Sequence, residues 1–299
     1  MKTLIPVITQ PRLSWLPLTI AILLAILLSS CAYLPSVSSP AIADLTKSAN
    51  AGDTESQFQL GMRYASGTGV WQSDSVSMTW LEKAASQGHA DAAYLVGIGY
   101  YTGQGVGQDY HQAARWFQRA ADKGQARAQY QLAAAYMNGQ GVPRDQAWGA
   151  RWYGKAAYQG HSNAQFSLGV AFARGLGLPV HPVQACRWLL EAARSTQFDD
   201  RKRAVKDKVC NGLSLSQRQR ATQLADRWTP RPVDLGYTDP PTIFYIQYRL
   251  SRLGYHPGHP DGYWGPMTEQ AGNRFLRDAG VPPGSTETLV DRLRATANR

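Results

Sequence analysis

Four tryptophans, Trp80, Trp116, Trp152 and Trp188, stand 36 residues apart, and this spacing limits what the chain between them can become. Gly67, Gly103, Gly139 and Gly175 keep the same period, as do Gly69, Gly105, Gly141 and Gly177 two residues later. Paired alanines recur in phase at Ala84-Ala85, Ala120-Ala121, Ala156-Ala157 and Ala192-Ala193, and Gly88, Gly124 and Gly160 close the first three periods. A fixed period of this length marks supersecondary units that bury their apolar faces against one another. Each unit reads as two helices. In the second, Tyr94-Leu95, Ile98 and Tyr101 recur at helical spacing. Gly103-Gln104-Gly105 then breaks the helix, because glycine enters the left-handed conformations of a tight turn. Ala113, Trp116, Phe117, Ala120 and Ala121 form the apolar stripe of the helix that follows. The alanines let neighbouring helices approach, and the tryptophan fills the space beside them.

The expectation is an all-α solenoid of four units, 51–88, 89–124, 125–160 and 161–194. Leu45, Lys47, Ala49 and Gly52 match the second half of a unit, so residues 31–50 are read as a tether ending in an N-terminal half-repeat. These residues resemble the Sel-one-like repeat, a relative of the tetratricopeptide repeat. The pattern shows in Ala164-Gln165, Leu168-Gly169, Gly175-Leu176-Gly177 and Lys83-Ala84-Ala85. The resemblance implies a protein-binding scaffold, with the partner on the concave surface that such stacks present. Ala133 departs from it, standing where Gly61, Gly97 and Gly169 stand in the other units. His181-Pro182 at the start of the last helix predicts a shifted start.

Beyond Arg194 the period stops, and residues 195–228 read as capping helices that close the end of the stack. Ser216 is an N-cap candidate there. Arg201, Lys202, Arg203, Lys206 and Lys208 form a basic stretch, either a solvated helix face or a contact for anionic wall or lipid. Cys186 and Cys210 flank this junction. They form either a disulfide, stabilising by about 3 kcal/mol for a loop of this size, or two buried free thiols.

The proline-rich run 229–241 is expected to be stiff enough to hold two domains apart. Residues 242–299 follow as a small three-helix domain, with apolar stripes at Ile246, Leu250 and Leu253, then at Ala271 and Phe275. Gln247, Leu250, Leu253-Gly254-Tyr255, Asp261-Gly262, Trp264-Gly265, Thr268 and Phe275 resemble the small peptidoglycan-binding domain of envelope proteins. That resemblance implies a shallow site for muropeptide or glycan. Tyr255, Tyr263 and Trp264 would offer flat faces, with Asp261 and Thr268 as polar partners. In so small a core Trp264 also reads as a packing residue, and Asp261 as the stabiliser of its own turn. Two departures from the pattern are Gly272, where an aliphatic residue is usual, and a last turn contracted to Pro282-Pro283-Gly284-Ser285.

At the other end, Lys2 and Arg12 flank the uncharged run from Leu16 to Leu28, too short for a membrane-spanning helix and suited to a signal-peptide core. Leu28-Ser29-Ser30-Cys31 resembles a lipobox, which implies removal of residues 1–30 and lipidation of Cys31. Ala32 after the cysteine implies retention at the outer membrane, facing the periplasm. The formal net charge of +10 favours acidic partners such as peptidoglycan carboxylates or anionic lipid. Nucleic acid is not expected, since no dense basic block interleaves with aromatics. No catalytic motif, cofactor-binding loop or metal-ligand cluster is present, and His256-Pro257-Gly258-His259 before Asp261 lacks a fixed scaffold for a metal. The expected function is a non-catalytic envelope lipoprotein that binds peptidoglycan and scaffolds an envelope protein. The alternative is a regulator that activates a separate cell-wall hydrolase or synthase.

Overall fold

The computed structural model describes residues 40–230 and 239–297, so Cys31, the leader and most of the proline-rich run lie outside it. The described residues form fourteen helices and no strand. Helix α1 (Pro40–Asn50) precedes four hairpins: α2 (Thr54–Ser66) with α3 (Asp74–Ser86), α4 (Ala90–Thr102) with α5 (Tyr110–Asp122), α6 (Ala126–Asn138) with α7 (Gln146–Tyr158), and α8 (Ser162–Arg174) with α9 (Pro182–Ala192). Then come α10 (Asp200–Asn211), α11 (Leu215–Asp226), and a C-terminal trio of α12 (Pro240–Arg252), α13 (Pro266–Asp278) and α14 (Thr286–Ala297).

Helix starts are set by side chains that accept hydrogen bonds from otherwise unpaired backbone N–H groups. The first helices use Asp53, His89, Gln125 and His161, and the second use Ser73, Asp109, Asp145 and His181. The histidines accept through Nδ1, which requires the neutral ring, and burial lowers the pKa of both His161 and His181 in keeping with that role. Each first helix ends at a left-handed glycine, with φ between 71° and 79° at Gly67, Gly103, Gly139 and Gly175. The glycine two residues later has a different duty. A Cβ on Gly105, Gly141 or Gly177 would overlap the backbone carbonyl of Asp74, Tyr110 or Gln146, at the start of the preceding unit's second helix. These positions are therefore where one unit leans on the last.

Buried glutamines add a second lock between units. Gln57, Gln129 and Gln165 each donate through Nε2 to a carbonyl eight residues back, those of Ala49, Ala121 and Ala157. The Ala133 departure is compensated across the hairpin. Gly97 leaves room for Phe117, whereas in the third unit the glycine stands on the facing helix, where a Cβ on Gly149 would crowd Met137 and the Ala133 carbonyl.

At the end of the stack α9 begins at Pro182, in phase with Gln146 of α7, so the shifted start expected from His181-Pro182 does not occur. Proline occupies the first turn, whose N–H has no helical partner, and His181 caps it. Cys186 of α9 and Cys210 of α10 are joined by a disulfide, with a Cα–Cα separation of 5.1 Å. The cap of α11 is Ser214, not Ser216: Ser214 and Gln217 form a reciprocal capping box. In the basic stretch, Lys202 reaches Asn163, and Arg203 and Lys206 pair with Asp200 and Asp207.

The C-terminal trio is not held apart from the repeats. Helix α12 packs on α7, and both belong to one hydrophobic core. Tyr245 meets Trp148 edge-on at 5.2 Å between ring centroids, and Phe244 meets Phe172 at 5.4 Å. Lys155 Nζ lies 2.8 Å from Asp239 Oδ2 with almost no exposure of either side chain, and Arg151 Nε donates to Thr242 Oγ1 at 2.8 Å. Every residue from Ala147 to Tyr158 is buried, a condition no other second helix meets. The reason is local. A Cβ at Gly154 would overlap the Pro241 ring, and the equivalent positions of the other units carry Glu82, Gln118 and Leu190. Helix α12 also starts two residues before the expected boundary, with Asp239 as its N-cap.

Gly141→Ala should therefore destabilise the chain by about 2–4 kcal/mol, combining a left-handed backbone with overlap of the preceding unit. Gly107→Ala, where a Cβ meets nothing, should stay within about 0.5 kcal/mol. Urea denaturation of both variants measures the contrast.

Candidate functional site

The C-terminal domain is organised around one buried amide. Gln247 of α12 donates through Nε2 to Asp261 Oδ1, the Tyr263 carbonyl and Thr268 Oγ1, at 3.0 to 3.2 Å. Its Oε1 accepts from the backbone N–H groups of Asp261 and Gly262, at 3.1 and 3.0 Å. Asp261 Oδ1 also accepts from the Tyr263 N–H, closing the turn. A side-chain amide has two N–H donors, here shared among three acceptors, and an oxygen that accepts twice, so all its capacity is taken by the loop and the start of α13. The loop 255–265 is thereby fixed in shape although it has no regular structure. Gly262 is left-handed, and a Cβ there would overlap the Phe244 ring, so the loop lies directly on α12.

This arrangement sorts the five candidate residues. Asp261, Tyr263 and Thr268 gather around Gln247. Tyr263 is 75% exposed, Trp264 is 37% exposed, and Met267 beside them is 57% exposed. They form an aromatic and apolar edge on a rigid turn. Thr268, by contrast, is 2% exposed, and its hydroxyl donates to the Pro257 carbonyl while accepting from Gln247, so it ties the loop together from within. Tyr255 stands in a separate cluster. It meets Phe275 edge-on at 5.5 Å and donates to Asp278 at 2.8 Å, and partial burial with that hydrogen bond raises its pKa. Gln247 is the residue the site depends on, and its signal was a single amide inside an otherwise apolar helical stripe. Gly272 has a packing role, since a Cβ there would overlap the Leu289 side chain of α14. That departure bears on helix approach, not on the exposed edge.

The solenoid contributes a second surface. Phe58, Tyr94, Tyr130 and Phe166 recur at the 36-residue period on the first helices, each half-buried. Phe58 stacks on His89 and Tyr130 on His161. With part of the second-helix face covered by α12, this ladder is a repeated apolar surface that the C-terminal domain leaves uncovered.

Fold and site together define a helical-hairpin repeat protein that carries a three-helix binding module. Residues 54–89, 90–125, 126–161 and 162–196 match the Sel1 repeat, and residues 240–283 match the family described as "Putative peptidoglycan binding domain". The chain is thus built of four Sel1 repeats followed by a domain of that family. Among solved structures it is similar to a Sel1 repeat protein from Oxalobacter formigenes, with 28% identity and a TM-score of 0.51, covering 63% of this chain and 76% of that one. It also shares its fold with a protective antigen present in uropathogenic Escherichia coli strains that displays an SLR fold. There the identity is 24% and the TM-score 0.55, over 84% of this chain and only 56% of that one. No curated protein matches the chain. Sel1 repeats suggest protein–protein interaction, and the C-terminal family suggests peptidoglycan binding.

Gln247→Leu should cost about 2 kcal/mol, because it leaves the N–H groups of Asp261 and Gly262 without their buried acceptor. The expected readout is a lowered unfolding midpoint with loss of amide exchange protection at those two residues.

Proposed function

We propose that this chain is a non-catalytic envelope lipoprotein that joins peptidoglycan to a protein partner. In this reading Cys31 carries the lipid, the outer membrane holds the chain facing the periplasm, and the C-terminal domain meets the wall. The observation that carries the wall contact is the exposed Tyr263–Trp264 edge held by Gln247. Aromatic faces on a preorganised turn suit the apolar faces of sugars and the planes of peptide bonds, and little ordering is left to be done on binding. Asp261 serves the turn through Oδ1, and its exposed carboxylate keeps Oδ2 as the polar partner beside the aromatic edge. The protein partner is assigned to the first-helix face, where the ladder of Phe58, Tyr94, Tyr130 and Phe166 runs across all four units. A cleft of about 670 Å³ on that face, bordered by Phe58, Met62, Tyr94 and Arg127, would seat an apolar side chain with a polar neighbour.

Co-sedimentation of the chain, without residues 1–30, with isolated sacculi tests the wall contact. The expected result is pelleting with sacculi and about tenfold weaker binding of Tyr263→Ala, the size of effect one exposed aromatic contact carries. Absence of the protein from the pellet removes the reading.

A further inference from the structure

A cleft of about 810 Å³ lies away from the Tyr263 edge, between the second helices of units two and three and the last helix α14. Its charge is set by the repeat. Arg115 and Arg119 on α5 recur one period later as Arg151 and Lys155 on α7, so stacking brings four cations onto one surface. Docking of the C-terminal domain adds Arg294 from α14. Lys155 is already paired with Asp239, and the lining carries two further carboxylates, Asp122 and Asp291, neither of which forms an ion pair within 4.0 Å among the described residues.

The cations divide by role. Lys155 and Arg151 are buried and hold the docked domain through Asp239 and Thr242. Arg294 lies over Trp148, 4.6 Å from the ring centroid, and donates to the Tyr136 hydroxyl. Arg115 and Arg119 are exposed, and neither they nor Arg294 form an ion pair among the described residues. The like charges of Arg115, Arg119 and Arg294 repel one another across the cleft, and an incoming anion relieves that repulsion. Guanidinium groups also match carboxylate and phosphate in geometry, two parallel hydrogen bonds at a time. Tyr136, Trp148 and Trp152 give the cleft an aromatic wall.

We propose that this cleft binds a small compound carrying two or more carboxylate or phosphate groups, at the seam between the repeats and the C-terminal domain. The separation of the available cations, Arg115 and Arg119 on α5 and Arg294 on α14, favours a multiply charged ligand over a single anion. The volume suits a small molecule. Because the site is completed only by Arg294, binding is linked to the docked arrangement, and the ligand raises the unfolding temperature with the logarithm of its concentration above Kd.

Titration calorimetry of the full chain at constant ionic strength tests this, with citrate in one arm and inorganic pyrophosphate in the other. Saturable binding in at least one arm is expected, and the arms tell carboxylate from phosphate recognition. Arg115→Glu with Arg119→Glu should weaken that binding at least tenfold. A charge-matched pair outside the cleft, Arg63→Glu with Lys83→Glu, should leave it within twofold. If the double reversal does not fold, Arg115→Gln with Arg119→Gln takes its place with the same expectation. No saturable binding in either arm overturns the proposal, as does binding that survives loss of both arginines.

Discussion

Lys155 and Asp239 meet at 2.8 Å with 1% and 2% of their side chains exposed, one from the third repeat and the other from the cap of the first C-terminal helix. Removing two such charges from water costs several kcal/mol per ion, and the pair offsets this only while each group keeps the other and its remaining hydrogen bonds. Asp239 keeps them: it accepts from the Thr242 N–H and hydroxyl, and Thr242 in turn accepts from Arg151. The network therefore permits one docking geometry and penalises sliding. What surrounds it follows: the burial of α7 from Ala147 to Tyr158, the merged hydrophobic core, and the placement of Arg294 beside Trp148.

Docking divides the molecule's surfaces. The second helices of a repeat stack are equivalent by construction, yet the third unit's is covered and the second unit's lines an open cationic cleft. The first helices keep their aromatic ladder outside the seam. On the C-terminal domain the side that meets the repeats presents Phe244 and Tyr245, while Tyr263 and Met267 remain exposed. A wall contact and a protein contact can thus be made on separate faces of a single body, with the anion cleft at the seam.

The repeat was legible because stacking forces the same residue into the same contact four times. Trp80 and its successors, and the paired glycines, announce both the hairpins and their order. The small C-terminal domain was readable for similar local reasons, whereas the one cap read from the sequence, Ser216, fell two residues past the Ser214 that caps α11. The docking was not, because it is written in residues that break the period: Trp148, Gly149 and Gly154 stand in one unit where the others carry different residues. Against a search for periodicity such departures look like noise. Read as departures shared by a single helix, they mark the surface that another element covers. In the candidate site, Asp261 and Tyr263 were visible as turn and aromatic residues. The burial of Thr268 was not visible, because its hydroxyl bonds to the Pro257 carbonyl, eleven residues away and in no regular element. Gln247 carried too plain a pattern for its role, since one amide in an apolar stripe does not reveal which loop it satisfies.

The account rests most heavily on the two domains forming one body through that ion pair. A double-mutant cycle on Lys155→Ala and Asp239→Ala, followed by denaturant unfolding, tests it directly, since the residues are 84 positions apart and can couple only if the domains dock. The predicted result is that each single change is strongly destabilising, that the second adds little to the first, and that the coupling energy reaches about 2 kcal/mol or more. Strict additivity of the two changes would contradict it.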